Sequence, residues 1–236
     1  MDNVIKKRGR IQRKVVTSIL LVGTIPGVLV VILTYLSGIN ALKNSIGANF
    51  QEMAKETADK VEIIMDKDIQ DAKGLALSPY IKDIVLRANE SHKLKGKRDN
   101  KGDEVLTNNL INYLKNYKDE KMRGDGSILI TDIKGSIIAA TGKLTDYNES
   151  EKNWWQLTFN HGKGKVFISG IDYNEEDTQT YSVAIAVPIF DYSNENTIGI
   201  LKMVHDVQDI FKTITNIKLG ETGHANLVTS DGTLVV

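Results

Sequence analysis

From Val15 to Leu42 no charged residue interrupts the chain, and the apolar run VVTSILLVGTIPGVLVVILTYL is longer than the roughly 20 residues that cross a hydrocarbon layer as a helix. Beyond it, Leu42, Ile46, Phe50, Met53, Thr57, Val61 and Ile64 recur at alternating steps of four and three, one stripe of a helix at nearly heptad spacing. That stripe fits either a stalk packed against a second copy or a helix packed on the chain's own sheet, and successive parts of one helix could do both. Ser78-Pro79 marks a new helix start, because a hydroxyl caps free N–H groups and proline sits where no N–H is needed. This helix is expected to reach about Asn89. A loop rich in Lys, Gly and Asn is expected from Glu90 to Asp103, and a further helix from Val105 to about Tyr117.

After residue 127 the period changes to that of strands. SILITD, a turn at Ile133-Lys134-Gly135 and SIIAAT form a hairpin, and a short helix through Trp154 and Trp155 then ends at His161-Gly162. KVFISGI, TYSVAIAVPIF and TIGILKMVHD read as three more strands, with Asp191 to Asn196 turning between the last two, and Val207 to about Ile217 returns to helix. The pattern predicts an α+β domain: an antiparallel five-stranded sheet with its helices kept to one side. ETGHANLVTSDGTLVV then repeats the strand, Asp-Gly turn, strand unit. It reads as the start of a second module in a chain that is a fragment of a longer protein.

Charge gives the anchor a direction. Lys6, Lys7, Arg8, Arg10, Arg13 and Lys14 precede the apolar run against one acid, Asp2, and the next cation is Lys43. The N-terminus is expected in the cytoplasm and the rest, from about residue 38, outside. A cleaved secretory signal begins similarly, but its apolar region spans about 7 to 15 residues, and no small-x-small cleavage site precedes a polar start here. Lys+Arg 30 balance Asp+Glu 30, which gives no footprint for nucleic acid. The absence of cysteine removes disulfides, thiolate nucleophiles and Cys-based zinc sites.

Phosphate loops, GxSxG elbows, His-Glu-x-x-His and paired catalytic carboxylates do not occur, so no enzyme is expected in these residues. Gly162-Lys163-Gly164-Lys165 precedes a strand, whereas a phosphate loop follows one. His92, His161, His205 and His224 match no metal-ligand spacing. Asp172 with Glu175, Glu176 and Asp177 lacks the alternating carboxylates and glycine of a calcium loop and reads as a solvated turn. Neither cofactor nor metal is expected.

The signal-anchor helix, the long helix, the hairpin, the WW-containing helix, the KGKVFIS strand, the AVPIFD…IGILK pair and the restart at LGETGHANLVTSDG together resemble the double Cache family of extracellular sensors, whose two PAS-like modules hang from one long helix. The resemblance implies a basic cytoplasmic N-terminus over 1–14, a transmembrane helix over 15–37, a stalk over 38–77, a membrane-distal sensor module over 78–217 and a second module beginning at 218–236. It further implies a receptor of a bacterial or archaeal cytoplasmic membrane. A cytoplasmic output such as a histidine kinase or a chemotaxis signalling domain would follow, and the receptor would act as a homodimer that senses a small polar molecule such as an amino acid, carboxylate or amine. A membrane-tethered binding or dimerisation module without output is the alternative.

In the amino-acid-binding branch, Arg-x-Trp-aromatic on the short helix holds a carboxylate, and a later Tyr and Asp hold an ammonium. The matching stretch is Lys152-Asn153-Trp154-Trp155, and Met203, Val204 and His205 stand where Asp is expected, with Asp206 just beyond. Lysine supplies the charge but not the two-pronged donor of arginine. The candidate ligand residues are Lys152, Trp154 and Trp155 with Ser169, Asp172 and Tyr173 on the facing strand, followed by Tyr181, Asp191 and Lys202. Successive helical residues diverge by about 100°, so only one tryptophan can face a pocket squarely.

Overall fold

A computed structural model describes residues 2–93, 100–122, 124–144, 146–174, 180–219, 223–228 and 232. The chain divides into two units, Met1–Ala58 and Asp59–Val236. The first unit is helical throughout its described residues and belongs to helix α1, Asp2–Ala76. Its apolar run is exposed on every side, with Val22 74% and Val31 67% accessible, and it is long and apolar enough to cross a membrane. The hydroxyls of Thr17, Thr24 and Thr34 donate to the carbonyls of Arg13, Leu20 and Val30 at 2.7–2.8 Å, so these polar groups are satisfied within the helix, as hydrocarbon surroundings demand.

The second unit holds the end of α1, then α2 (Pro79–Lys93), α3 (Asn100–Lys121), β1 (Ser127–Asp132), β2 (Ile137–Ala140), α4 (Asn153–Phe159), β3 (Phe167–Asn174), β4 (Thr180–Phe190), β5 (Thr197–Asp206) and α5 (Gln208–Thr215). β1 to β5 form one antiparallel sheet in the order β2-β1-β5-β4-β3. The expected loop from Glu90 is shorter than its composition suggests. Helix α2 continues to Lys93 and α3 begins at Asn100, because Glu90, Ser91 and Lys93 carry no helix-breaking constraint; residues 94–99 lie outside the described set. The second expected hairpin is also mostly outside it. Among the described residues there, β6 (Lys218–Leu219) pairs with β7 (Gly223–His224).

Strand alternation builds the core. Ile128, Ile130, Val183, Ile185, Val187, Leu201 and Met203 point to one face and are sealed by Ala72, Leu75 and Ala76 of α1, Ile81, Ile84 and Val85 of α2, and Leu110 and Leu114 of α3. The i, i+3, i+4 spacing of these helical residues is what presents one apolar stripe to the sheet. Val61 and Ile64 pack partly buried against this core, whereas Leu42 is 62% and Phe50 45% exposed. The heptad-like stripe is therefore used on the chain's own sheet at its C-terminal end and left uncovered nearer the N-terminus. The expectation that all helices share one side does not hold. α4 packs on Ala186 and Ile200, which alternate with Ile185, Val187 and Leu201 and so belong to the opposite face.

The β1–β2 turn shows how local sequence fixes this frame. The Asp132 carboxylate accepts the N–H groups of Lys134 and Ser136 at 2.8 and 2.9 Å, an Asx turn. Gly135 has φ +79, and a Cβ there would lie 2.5 Å from the Ser150 nitrogen, so only glycine fits against the segment that leads to α4.

Candidate functional site

On the α4 face the sheet is only partly covered. A cleft of about 660 Å³ is lined by Lys152, Asn153, Trp154, Phe167, Ser169, Asp172, Tyr173, Ser182, Ala184, Lys202 and Val204. Its lining mixes apolar groups (Trp154, Phe167, Ala184, Val204) with polar and charged ones (Lys152, Ser169, Asp172, Ser182, Lys202), as ligand sites that combine a binding surface with a few orienting groups do.

Trp154 forms the wall at the α4 end. Its Nε1 donates to Glu149 at 3.3 Å, and the Lys202 ammonium lies over its ring, 4.5 Å from the centroid, a cation–π contact. Lys202 rises from the central strand β5, paired with Leu129 on β1 and Ala186 on β4. Burial pushes its pKa below the usual lysine value; Glu149 opposes that shift and Lys152 adds to it. Lys152, at the start of α4, forms an ion pair with Asp146 at 3.0 Å. The Ser169 hydroxyl accepts the Ala184 N–H at 2.9 Å and donates to the Gly170 carbonyl at 2.6 Å, bridging the register shift between Ile168 and Ile171. Asp172 sits across from Ser182, and Tyr173 packs edge-on against Tyr181, with centroids 5.1 Å apart.

The structure thus brings Lys152, Trp154, Ser169, Asp172 and Tyr173 together and leaves three other expected residues outside the cleft. Trp155 is 6% exposed. It stacks on Phe159 and donates from Nε1 to the buried Thr131 hydroxyl at 3.0 Å, so it is the tryptophan that the 100° divergence turns into the sheet. Tyr181 turns its ring between Tyr173 and Phe211 of α5. Asp191 holds the β4–β5 turn. Bonds from the Asn196 side chain and then the Ser193 side chain lower its pKa to about 2, desolvation opposing them and the Glu195 and Asn196 N–H groups adding to them.

Lys202 lies in the cleft lining, together with Phe167, Ser182, Ala184 and Val204, which the sequence does not single out. The signal for Lys202 was visible: it is the one lysine in the apolar strand TIGILKMVHD. Of the residues standing where Asp was expected, Val204 lines the cleft, while Met203 and His205 face the helical layer. His205 Nδ1 lies 3.7 Å from Asp68 of α1, both side chains buried. Asp206 instead accepts the Gln208 N–H at 2.8 Å and caps α5. Among the described residues no cluster of three His, Asp or Glu could hold a metal.

A family model described as "Cache domain" matches residues 38–236. The fold is similar to the ligand-binding domain of the Pseudomonas fluorescens chemoreceptor CtaA in complex with L-isoleucine, at 15% identity and TM-score 0.55, covering 84% of this chain and 70% of that one. It is also similar to that of the Pseudomonas aeruginosa chemoreceptor PctC in complex with GABA, at 12% identity and TM-score 0.56, covering 79% and 72%. The sensor domain of the Vibrio cholerae histidine kinase DctB matches at 13% identity and TM-score 0.51, covering 71% of this chain and 58% of that one. Likeness at these identities is likeness of fold. No curated protein matches the chain in sequence.

Proposed function

The chain belongs to the Cache domain family, and from that premise we propose that it is the non-catalytic, ligand-sensing region of a membrane receptor, with the cleft on the α4 face as its binding site. The observation that carries this reading is the convergence of Trp154, Lys202, Lys152 and Asp172 on one cleft. Convergent polar groups on an otherwise apolar wall are what a small-molecule site requires. The proteins similar in fold include domains bound to L-isoleucine and to GABA, which supports a small polar ligand.

Signal leaves the site through β5. Lys202 and Val204 line the cleft, whereas Met203 and His205, on the other face, meet the core and Asp68 of α1. A ligand that prefers one position of β5 biases that contact, provided its affinity for the two arrangements differs. Hydrogen exchange of the amides of residues 59–76 should change when ligand binds; unchanged protection would remove this part of the mechanism. In the reading, the apolar helix spans the cytoplasmic membrane with its N-terminus inside, and Leu42, Ile46, Phe50 and Met53, all exposed, meet a second copy. Because the chain has no cysteine, cysteines placed at Asn3 and Asn40 report orientation directly: an impermeant maleimide should label only the second in intact cells.

Binding itself is tested by a thermal-shift screen of the full chain in detergent against amino acids, carboxylates, amines and purines, since a ligand of the folded state raises the melting temperature. A shift that disappears in Trp154→Ala or Lys152→Ala supports the site, and a screen without a single shift rejects it.

A further inference from the structure

The sheet has a gap at the outer edge of β4. The β3–β4 ladder begins at Phe167 opposite Ala186, so Val187 to Phe190 continue along β4 with no β3 residue beside them. Pro188 stands on that stretch, which an edge tolerates because it needs no ladder N–H. The last turn of α1 lies across the gap, and the two leave a cavity of about 230 Å³. Ala76 and Val187, both buried, form its deepest lining. Val166, Pro188 and Phe190, half-buried, flank it, and Leu77, 60% exposed, stands at its mouth. It shares no lining residue with the cleft on the α4 face.

Lys73, in the last turn of α1, is the one polar side chain of that lining. Its carbonyl accepts the Leu77 N–H at 3.0 Å, which fixes the turn, whereas among the described residues its ammonium has neither a carboxylate nor a hydrogen-bond acceptor. The cavity therefore offers one positive charge and an apolar hollow, and no side-chain acceptor. An α-amino acid does not suit it, since its ammonium would be left unpaired there. A phosphate monoester brings close to two negative charges at neutral pH against a single cation. A singly charged anion with an apolar body matches both features. Size narrows that body: an apolar cavity of about 150 Å³ takes benzene. At about 230 Å³, this one accommodates a phenyl ring on a short tether or a chain of about five or six carbons.

We propose that this cavity is a second ligand site, which takes a small hydrophobic monocarboxylate: the ring or chain enters between Ala76, Val166 and Phe190, and the carboxylate seats on Lys73. Leu77 then trades its exposure to water for contact with the ligand's apolar body. Because Lys73 and Ala76 belong to α1 and Pro188 and Phe190 to β4, an occupant ties the end of the long helix to the sheet.

The test is calorimetric titration of the full chain in detergent, against a blank of detergent alone, with butanoate, pentanoate, hexanoate, phenylacetate, 2-phenylethanol and 2-phenylethylamine. Affinity is expected to rise about fourfold for each added CH₂ of the straight-chain acids, the factor that burial of one methylene carries. Phenylacetate should exceed 2-phenylethanol by a few fold, the scale of an exposed ion pair, and 2-phenylethylamine should bind most weakly. Lys73→Met should erase the preference for phenylacetate over 2-phenylethanol, Lys73→Arg should keep it, and Leu77→Glu should weaken every acid. Lys73 and Leu77 are both exposed, so these variants keep the fold, which circular dichroism checks. Hexanoate affinity should survive Trp154→Ala, which dismantles the cleft on the α4 face. Hexanoate binding that vanishes in Trp154→Ala places the acid in that cleft and overturns the proposal while the sensor reading stands. An amine that binds as tightly as phenylacetate, or the failure of every acid to bind, overturns it equally. If sedimentation shows that Leu77→Glu splits a dimer of the native chain, a second copy covers the hollow and the ligand site falls.

Discussion

On one face of the sheet Ile128, Ile130, Ile185, Val187, Leu201 and Met203 are sealed beneath α1, α2 and α3; on the other, Ala184, Lys202 and Val204 look into a cleft. The same strands build both, since alternate residues face opposite ways. The sealed face gains stability from close packing, which penalises any change of volume. The open face keeps polar and charged groups away from that packing and has room for a ligand instead. Stability and recognition are therefore separable in this fold, and substitutions can be chosen to strike one and spare the other.

The largest expected effect is on the sealed face. Leu114 is fully buried, so Leu114→Ala should destabilise the domain by about 2–5 kcal/mol, seen as a lower urea midpoint. Trp154→Ala, on the open face, should move that midpoint far less while abolishing ligand binding. A Trp154→Ala loss as large as that of Leu114→Ala would mean that the α4 face is core and not site.

The two tryptophans sharpen the same contrast at the scale of one hydrogen bond. Trp155→Phe removes the Nε1 donor to Thr131, both groups being buried, and should destabilise by about 1–3 kcal/mol. Trp154→Phe leaves a ring beneath Lys202 and removes only the longer, part-buried bond to Glu149, so it should destabilise less than Trp155→Phe. Because these are the chain's two tryptophans, the fluorescence of Trp155→Phe reports Trp154 alone and should respond to ligand, whereas that of Trp154→Phe should respond only to unfolding.

How far the sequence carries this comparison depends on the kind of information needed. The period of VAIAVPI and ILKMV fixes which residues share a face, and the switch from helical to strand period locates β1, β4 and β5 almost to the residue, whereas β3 runs on to Asn174, beyond the expected KVFISGI. Period cannot say which face the helices cover, so α4 was expected on the side it does not occupy. The 100° rule separated Trp154 from Trp155 without assigning them, because the partner that draws Trp155 inward is Thr131, distant in sequence. The carboxylate of Asp191 has the chemistry of a ligand residue, yet its partners are the local groups of its own turn. The environment of Lys202 comes from Trp154 of the helix laid over it, not from its neighbours in the strand, so the strand sequence does not show it.

Lys202 should show a smaller, pH-dependent effect. Its folded-state pKa is below 10.5, chiefly because burial disfavours the charged form, so the unfolded chain binds more protons and stability rises as pH climbs from the lowered value towards 10.5. Lys202→Met removes that penalty, so at neutral pH the unliganded variant should be the more stable of the two. The gap between variant and native chain should close as pH climbs from the lowered value to 10.5. A gap that stays constant with pH would show that packing of the methionine, not charge burial, explains it.

Asp191 gives the smallest effect and the cleanest separation from the site. Its pKa is lowered from 3.8 to about 2, first by the Asn196 side chain and then by Ser193. The stabilisation this represents is complete above about pH 4 and is lost as pH falls through 2. Asp191→Asn should be slightly less stable than the native chain at pH 6, by an amount that shrinks steadily below pH 4 and vanishes near pH 2 in parallel acid unfolding curves. Its ligand affinity should equal that of the native chain, because the carboxylate serves the β4–β5 turn, which lies beyond the cleft end marked by Ala186 and Lys202. A changed affinity with an unchanged acid profile would return Asp191 to the binding site and blur the division between the two faces.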